Sequence, residues 1–275
     1  MGSPPVLVDS HCHIDLEDFV ADRPQVLARA VAAGVKIQVV PGVAAATWPA
    51  LYEVTQGYPG LYPTFGLHPL EIANHRPEHL AVLPKVLQSR GGVAVGECGL
   101  DGYVAGLDWH QQWRVFRAQL AIARELGLPV IVHARRALDP VLKALRQHPG
   151  VRGVVHSFVG SQQQARQLVE LGFFLGVGGP VTYPRAQKLR RVVAQAPLEA
   201  LVLETDAPFQ PLNGFQGQRN EPAQVAVVLT AVAELRQQSL ETVATATTTN
   251  AKRLFALDFG EAKRSWTHEK RHSDE

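Results

Sequence analysis

Leu7-Val8-Asp9-Ser10-His11-Cys12-His13 is the stretch that decides the fold. It opens as a short apolar run of β-formers and closes on a His-Cys-His triplet. A doubly wound open sheet usually carries a glycine-rich phosphate turn after its first strand. The imidazole pair in that place points instead to a barrel, whose functional groups stand at the C-terminal ends of its strands. Side chains alternate across a strand, so His11 and His13 face one way and Cys12 the other.

Seven further β-rich runs follow, at 35–41, 61–68, 93–99, 129–133, 153–158, 173–178 and 201–206, which with 7–13 makes eight. Amphipathic helices fill most gaps, clearest at 23–33, 109–126, 137–148, 162–171 and 185–195. In the second of these Val115, Ala118, Ala121, Ile122 and Leu126 recur at helical spacing. Gly34, Gly127 and Gly172 stand where helix C-caps belong. Residues 222–254 read as helical, with Ser239 as an N-cap and Glu241 facing the positive end of the helix dipole. Eight β/α units predict an α/β fold, a TIM-like (β/α)8 barrel that occupies residues 1–258 as a single domain. Residues 259–275 carry dense charge of both signs and are expected to form a disordered tail.

The composition excludes several classes. At 275 residues and 46% hydrophobic content the chain can bury a large core, which rules out bulk disorder and a disulfide scaffold. No apolar run reaches the ~18 residues of a membrane span. A net charge of +2 argues against a protein that coats long stretches of DNA, while leaving room for one that grips a single strand end. Two cysteines and the lack of a secretory pattern at the start suit the cytoplasm. No obligate protein partner is expected.

The 11 histidines carry the functional signal. His11, His13, His68, His133 and His156 fall at predicted strand ends, with Glu97 and Asp206 beside them. Strand ends make up roughly a tenth of such a barrel, so random placement would put about one histidine there. His75, His79, His110 and His148 fall in loops or on helix faces, and His268 and His272 in the tail. Imidazoles and carboxylates without thiolate suit Zn²⁺, Mn²⁺, Fe²⁺ or Mg²⁺. Cys12 and Cys98 have the wrong strand parity to join them. Six ligands exceed one tetrahedral ion, but two divalent ions sharing a carboxylate use His11, His13, Glu97, His133, His156 and Asp206 together. Two ions ~3.5–4 Å apart are the mark of a hydrolase site.

These residues sit in a recognisable series of motifs. The series is Asp9-Ser10-His11-Cys12-His13, Gly66-Leu67-His68-Pro69, Gly96-Glu97-Cys98-Gly99-Leu100-Asp101, Val132-His133-Ala134-Arg135, Val155-His156-Ser157-Phe158 and Glu204-Thr205-Asp206-Ala207-Pro208. In this order they resemble the TatD-type metal-dependent deoxyribonucleases. Residues 211–222 are similar to the YjjV-like branch of that family. The resemblance implies that His11 and His13 hold one ion with Asp206 near it, that His133 and His156 hold the other, and that Glu97 bridges. It also implies that Asp206 takes the proton of the attacking water, that His68 contacts substrate phosphate, and that the activity is 3′-to-5′ exonucleolysis of DNA. In one place the chain departs from it: many members carry an acidic residue where Arg136 stands.

Arg135 and Arg219 are the candidate substrate-binding cations, since a guanidinium fork matches phosphate oxygens. Tyr103, Phe158, Phe209 and Phe215 are candidate stacking rings at the barrel mouth. The expected partner is a DNA strand end or another phosphoester. The same site also suits attack on a carbonyl carbon, as in a deacylase, a lactonase or an aminoacyl-tRNA deacylase. A third possibility is a partner-binding barrel with vestigial metals, against which the intact ligand set argues.

Overall fold

The alternation of apolar runs and amphipathic helices builds a closed parallel barrel. The structure is a computed structural model that describes residues 5–257. The expected tail lies outside the described residues. Among the described residues the strands are β1 Leu7–Asp9, β2 Val35–Pro41, β3 Leu61–Thr64, β4 Val95–Asp101, β5 Val130–Arg135, β6 Gly153–Val155, β7 Phe173–Val177 and β8 Leu201–Leu203. β1 to β3 and β4 to β8 pair in chain order, all in parallel. Backbone hydrogen bonds close the two seams. The Val93 and Gly96 N–H groups donate to the Pro63 and Phe65 carbonyls at 3.0 and 2.8 Å, joining β3 to β4. The Ser10 N–H donates to the Leu203 carbonyl and the Asp206 N–H to the His11 carbonyl, both at 2.9 Å, joining β8 to β1.

The helices are α1 Arg23–Ala32, α2 Trp48–Gly57, α3 Pro77–Ser89, α4 Trp109–Leu126, α5 Leu138–Arg146, α6 Gln162–Glu170, α7 Gln187–Gln195, α8 Val225–Arg236 and α9 Leu240–Phe255. α4 has the bounds that its periodicity predicts. The Asp108 side chain caps its start by accepting the Gln111 N–H at 2.9 Å, and Gly127 ends it at φ 65°. Ser239 caps α9 as expected, accepting the Thr242 N–H at 3.0 Å. The helical stretch divides at this cap into α8 and α9, where Gln237 turns left-handed at φ 54°.

Strand alternation creates two cores. One lies between the strands and the surrounding helices. The other lies inside the barrel, where Val8, Ile131, Val154, Phe174 and Val202 meet Ala251, Leu254 and Phe255 from the end of α9. α9 crosses the N-terminal end of the strands. Its Thr248 hydroxyl donates to the Val6 carbonyl at 2.8 Å, and its Asn250 amide donates to the Leu201 carbonyl at 2.8 Å. The barrel is therefore stoppered at one end by apolar side chains and open at the other.

Several strands stop earlier than expected: β1 at Asp9, β3 at Thr64, β6 at Val155 and β8 at Leu203. Local hydrogen bonding accounts for β1 and β8. The buried Asp9 carboxylate accepts the N–H groups of His11 (3.3 Å) and Thr205 (3.0 Å) and the Thr205 hydroxyl (2.5 Å). Ser157 at φ 45° and Asp206 at φ 57° bend the chain after β6 and β8. Most of the expected site residues thus stand on tight turns just beyond the strands, while Glu97 lies on β4 and His133 on β5.

Candidate metal centre

Glu97 organises the open end of the barrel. Its carboxylate is buried, and its two oxygens face different groups of donors. Oε2 lies 3.2 Å from His11 Nε2 and 3.5 Å from His13 Nε2. Those two nitrogens are 3.2 Å apart, and Asp206 Oδ1 is 3.5 Å from each. Oε1 lies 2.8 Å from His156 Nε2 and 3.2 Å from His133 Nδ1, which are 3.3 Å from each other. The sequence-predicted ligands are thereby brought together in two adjoining groups that share one carboxylate.

These spacings suit divalent cations. Donors about 2.1 Å from a tetrahedral ion stand about 3.4 Å from one another. Lone-pair nitrogens and carboxylate oxygens packed this closely also repel unless a cation or proton lies between them. Asp206 Oδ1 is buried without a hydrogen-bond partner, as are the outer nitrogens of His11 and His156. The donor set of imidazoles and carboxylates fits the metals expected from the sequence.

The local electrostatics carry the same strain. Burial alone would raise the Glu97 carboxyl, but the imidazoles of His68, His156 and His11 outweigh it and hold it well below the usual range. Burial likewise opposes charge on His13, yet the Asp206 and Glu97 carboxylates, each 3.5 Å from its Nε2, raise it to about 10. His11, the most enclosed ring, is pushed down to about 4 by burial and by His156. Glu204, buried behind His156, rises to about 8 through desolvation.

His68 sits inside this cluster in a different role. Its Nδ1 accepts the Leu70 N–H at 3.2 Å, so the proton stands on Nε2, which donates to Glu97 Oε1 at 2.9 Å. His68, Glu97 and His133 also bring their donor atoms close enough together to hold a cation. The structure thus places the ring of His68, the expected substrate contact, against Glu97 at the edge of the donor cluster.

Arg219 also differs from expectation. Its guanidinium grips the Asp22 carboxylate at 2.8 and 2.7 Å, Glu221 at 3.0 Å and the Asp18 carbonyl at 2.6 Å, and it lies over the Phe19 ring. With those donors committed, Arg219 staples the loop after β8 to the start of α1 instead of awaiting substrate. Arg135 is exposed and lies 3.6 Å over the Tyr103 ring. Of the candidate rings, Phe158 is buried core, whereas Tyr103, Phe209 and Phe215 are exposed. Phe209 stands edge-on to His13, with ring centroids 5.9 Å apart. His75 and His148 serve structure, bonding to the carbonyls of His68 and Ala144 at 2.8 Å.

Three carboxylates in the site were not singled out from the sequence. Asp101 Oδ2 accepts from His133 Nε2 at 2.9 Å, which leaves His133 Nδ1 free to ligate. Asp9 fixes the backbone of His11. Glu204 accepts the Ser157 N–H and lies 4.0 Å from His156. Strand parity would have found Glu204, since it lies two residues beyond the inward Val202 and two before Asp206. Gln210 is a fourth addition: its amide donates to Asp206 Oδ2 at 2.5 Å and accepts the Ser157 hydroxyl at 2.9 Å.

Comparison with known proteins decides the family. The family model described as TatD related DNase matches residues 8–256. The chain belongs to that family. Its TatD-family relatives include YjjV of Escherichia coli K12, named an uncharacterized metal-dependent hydrolase. That protein is 43% identical over 251 residues, which cover 90% of this chain and 97% of the relative. A protein of Salmonella typhimurium named 3′-5′ ssDNA/RNA exonuclease TatD is 33% identical over 265 residues, covering 92% of this chain and all of the relative. The crystal structure of the Escherichia coli YjjV protein superposes with a TM-score of 0.88 at 41% identity, covering 92% of this chain and 98% of that one. The expected family and barrel are both borne out. Among the described residues no helix is long and apolar enough to cross a membrane.

Proposed function

We propose that the chain is a two-metal hydrolase that cleaves phosphodiester bonds at the end of a nucleic-acid strand, a 3′-to-5′ exonuclease acting on DNA. The observation that carries this reading is the Glu97 carboxylate, with one oxygen in each of two donor groups. His11, His13 and Asp206 would hold one cation and His133 and His156 the second, with Glu97 shared between them. When bound, the cations lower the pKa of water and stabilise charge on the phosphoryl oxygens.

The chain's own residues supply the rest. Asp206 Oδ1, without a hydrogen-bond partner, accepts the proton of the attacking water, while Gln210 holds its Oδ2 in place. His68 fixes Glu97 through Nε2, and Asp101 fixes the ring of His133. Phe209, exposed and edge-on to His13, offers an apolar face to a terminal base. The 3′-5′ exonuclease name of the Salmonella relative supports the substrate and the polarity.

The test is turnover of the metal-reconstituted enzyme on a panel of single-stranded DNA, RNA, a p-nitrophenyl phosphodiester, and aminoacyl and lactone esters. Release of mononucleotides from the 3′ end of DNA is expected. Activity confined to the carbonyl esters overturns the proposal.

A further inference from the structure

Beside the cluster stands a group of side chains that the hydrolytic step does not use. Tyr103 follows β4, and Arg135 and Arg136 end β5 and begin the turn after it. The Arg135 guanidinium lies 3.6 Å from the Tyr103 ring centroid and that of Arg136 4.7 Å from it. Arg136 is left-handed at φ 50°, and the Gly102 N–H donates to the Arg135 carbonyl at 2.8 Å, which ties the two loops together. All three side chains are exposed.

Two guanidinium cations on one ring repel each other, and here no carboxylate offsets them. Among the described residues neither arginine forms an ion pair. Asp101, the acidic group beneath this loop, is already taken. Its Oδ1 accepts the Tyr103 and Val104 N–H groups at 2.8 and 2.9 Å, and its Oδ2 accepts from His133. The ring aligns the two forks by cation–π contact and leaves their outer edges free. Such a paired fork matches the oxygens of a phosphate.

The position is also fixed. Arg135 lies two residues beyond His133 on the same strand, about 6.6 Å of rise, and Tyr103 hangs from the carboxylate that orients His133. We infer that Tyr103, Arg135 and Arg136 form a subsite for a non-scissile phosphate of a bound single-stranded oligonucleotide, next to the reacting one. This deepens the phosphodiesterase reading and rests on it for the strand's direction of entry. It makes the preferred substrate a chain with at least two backbone phosphates, not an isolated phosphodiester.

Binding and turnover test the subsite separately. Fluorescence anisotropy of a phosphorothioate-linked oligothymidylate, which resists cleavage, gives the salt dependence of affinity on the metal-loaded full chain. Each phosphate contact to a single strand contributes about 0.7 to the slope of log K against log salt. The Arg135→Ala/Arg136→Ala double variant, which loses the one phosphate of the subsite, should lower that slope by about 0.7, the Arg135→Lys/Arg136→Lys variant should restore most of it, and Arg166→Ala, on exposed α6, should leave it unchanged. In turnover, the alanine pair should lose on the order of tenfold more kcat/KM on a trinucleotide than on bis(p-nitrophenyl) phosphate, mostly through KM. A slope equal to the wild type's, or equal losses on both substrates, overturns the subsite. Binding with the expected slopes but no phosphodiester cleavage by the wild type overturns the phosphodiesterase reading and leaves the subsite standing.

Discussion

The two ends of the barrel share one strand alternation and carry opposite chemistry. At the stoppered end Val8, Ile131, Val154 and Val202 point inward against Leu254 and Phe255 of α9. Two residues further along β5 and β6 and beyond β8, the inward positions are His133, His156 and Glu204. The lower layer is apolar and satisfied, so it contributes stability by burial. The upper layer concentrates imidazoles and carboxylates whose burial costs free energy until cations compensate them. The lower layer holds the barrel closed, and this allows the upper layer to be unfavourable on its own.

The sharpest way to break this division is at Glu97. Glu97→Gln removes the charge common to both donor groups while keeping its shape. Turnover should fall on the order of a thousandfold or more, the equivalent of about 4 kcal/mol in the barrier. Bound metal, measured by plasma mass spectrometry, should drop below the wild-type content, and the circular dichroism spectrum should stay that of the folded barrel. Wild-type activity in this variant would remove Glu97 from the centre of the site.

Phe255→Ala makes the converse cut. This ring is 2% exposed in the apolar stopper, so its truncation should cost about 3–5 kcal/mol of stability, read as a lower urea midpoint. The turnover number of the folded fraction should stay within about twofold of wild type. A collapse of turnover at unchanged stability would show that the two ends are not separable.

A smaller effect is expected one shell outside the ligands. Asp101→Asn weakens the acceptor for His133 Nε2, and metal affinity should fall about 10–100-fold in competition with a chelating dye. An unchanged affinity would mean that His133 needs no orienting partner.

How far the sequence reached follows the same division. The barrel was legible because its strands are short apolar runs and its helices have clear caps, as at Gly127 after α4 and Ser239 before α9. The residues of the donor cluster stood out because histidine is rare and its placement at strand ends is far from random. Turns are harder to read. Sequence periodicity carries a strand through His11–His13, but Asp9 captures the His11 N–H and ends it at once. Asp101 and Gln210 escaped because carboxylates and amides are common at loops, and only their distances to His133 and Asp206 mark them, whereas strand parity alone marks Glu204. Arg219 misled for a related reason: a guanidinium suits a phosphate and a loop carboxylate equally well, and its partner Asp22 lies far away in sequence.

That loop network provides the smallest and last contrast, since it steadies the rim of the open end without entering the cluster. The Glu221 carboxylate is gripped by Arg29 at 2.8 Å and by Arg219 at 3.0 Å. The hydrogen bonds from Arg29, and then those from Arg219, hold its pKa below the ordinary 4.5. A carboxyl with a depressed folded pKa adds stability above its unfolded pKa and loses it as the pH falls through the folded one. Glu221→Gln should therefore cost at most about 1 kcal/mol at pH 7, because the network is partly exposed and screened. The difference from wild type in urea midpoint should shrink steadily below about pH 4.5, as the wild-type carboxyl takes up its proton. A difference that instead grows under acid would reverse the sign of the linkage. The rim would then be held by contacts other than this carboxylate.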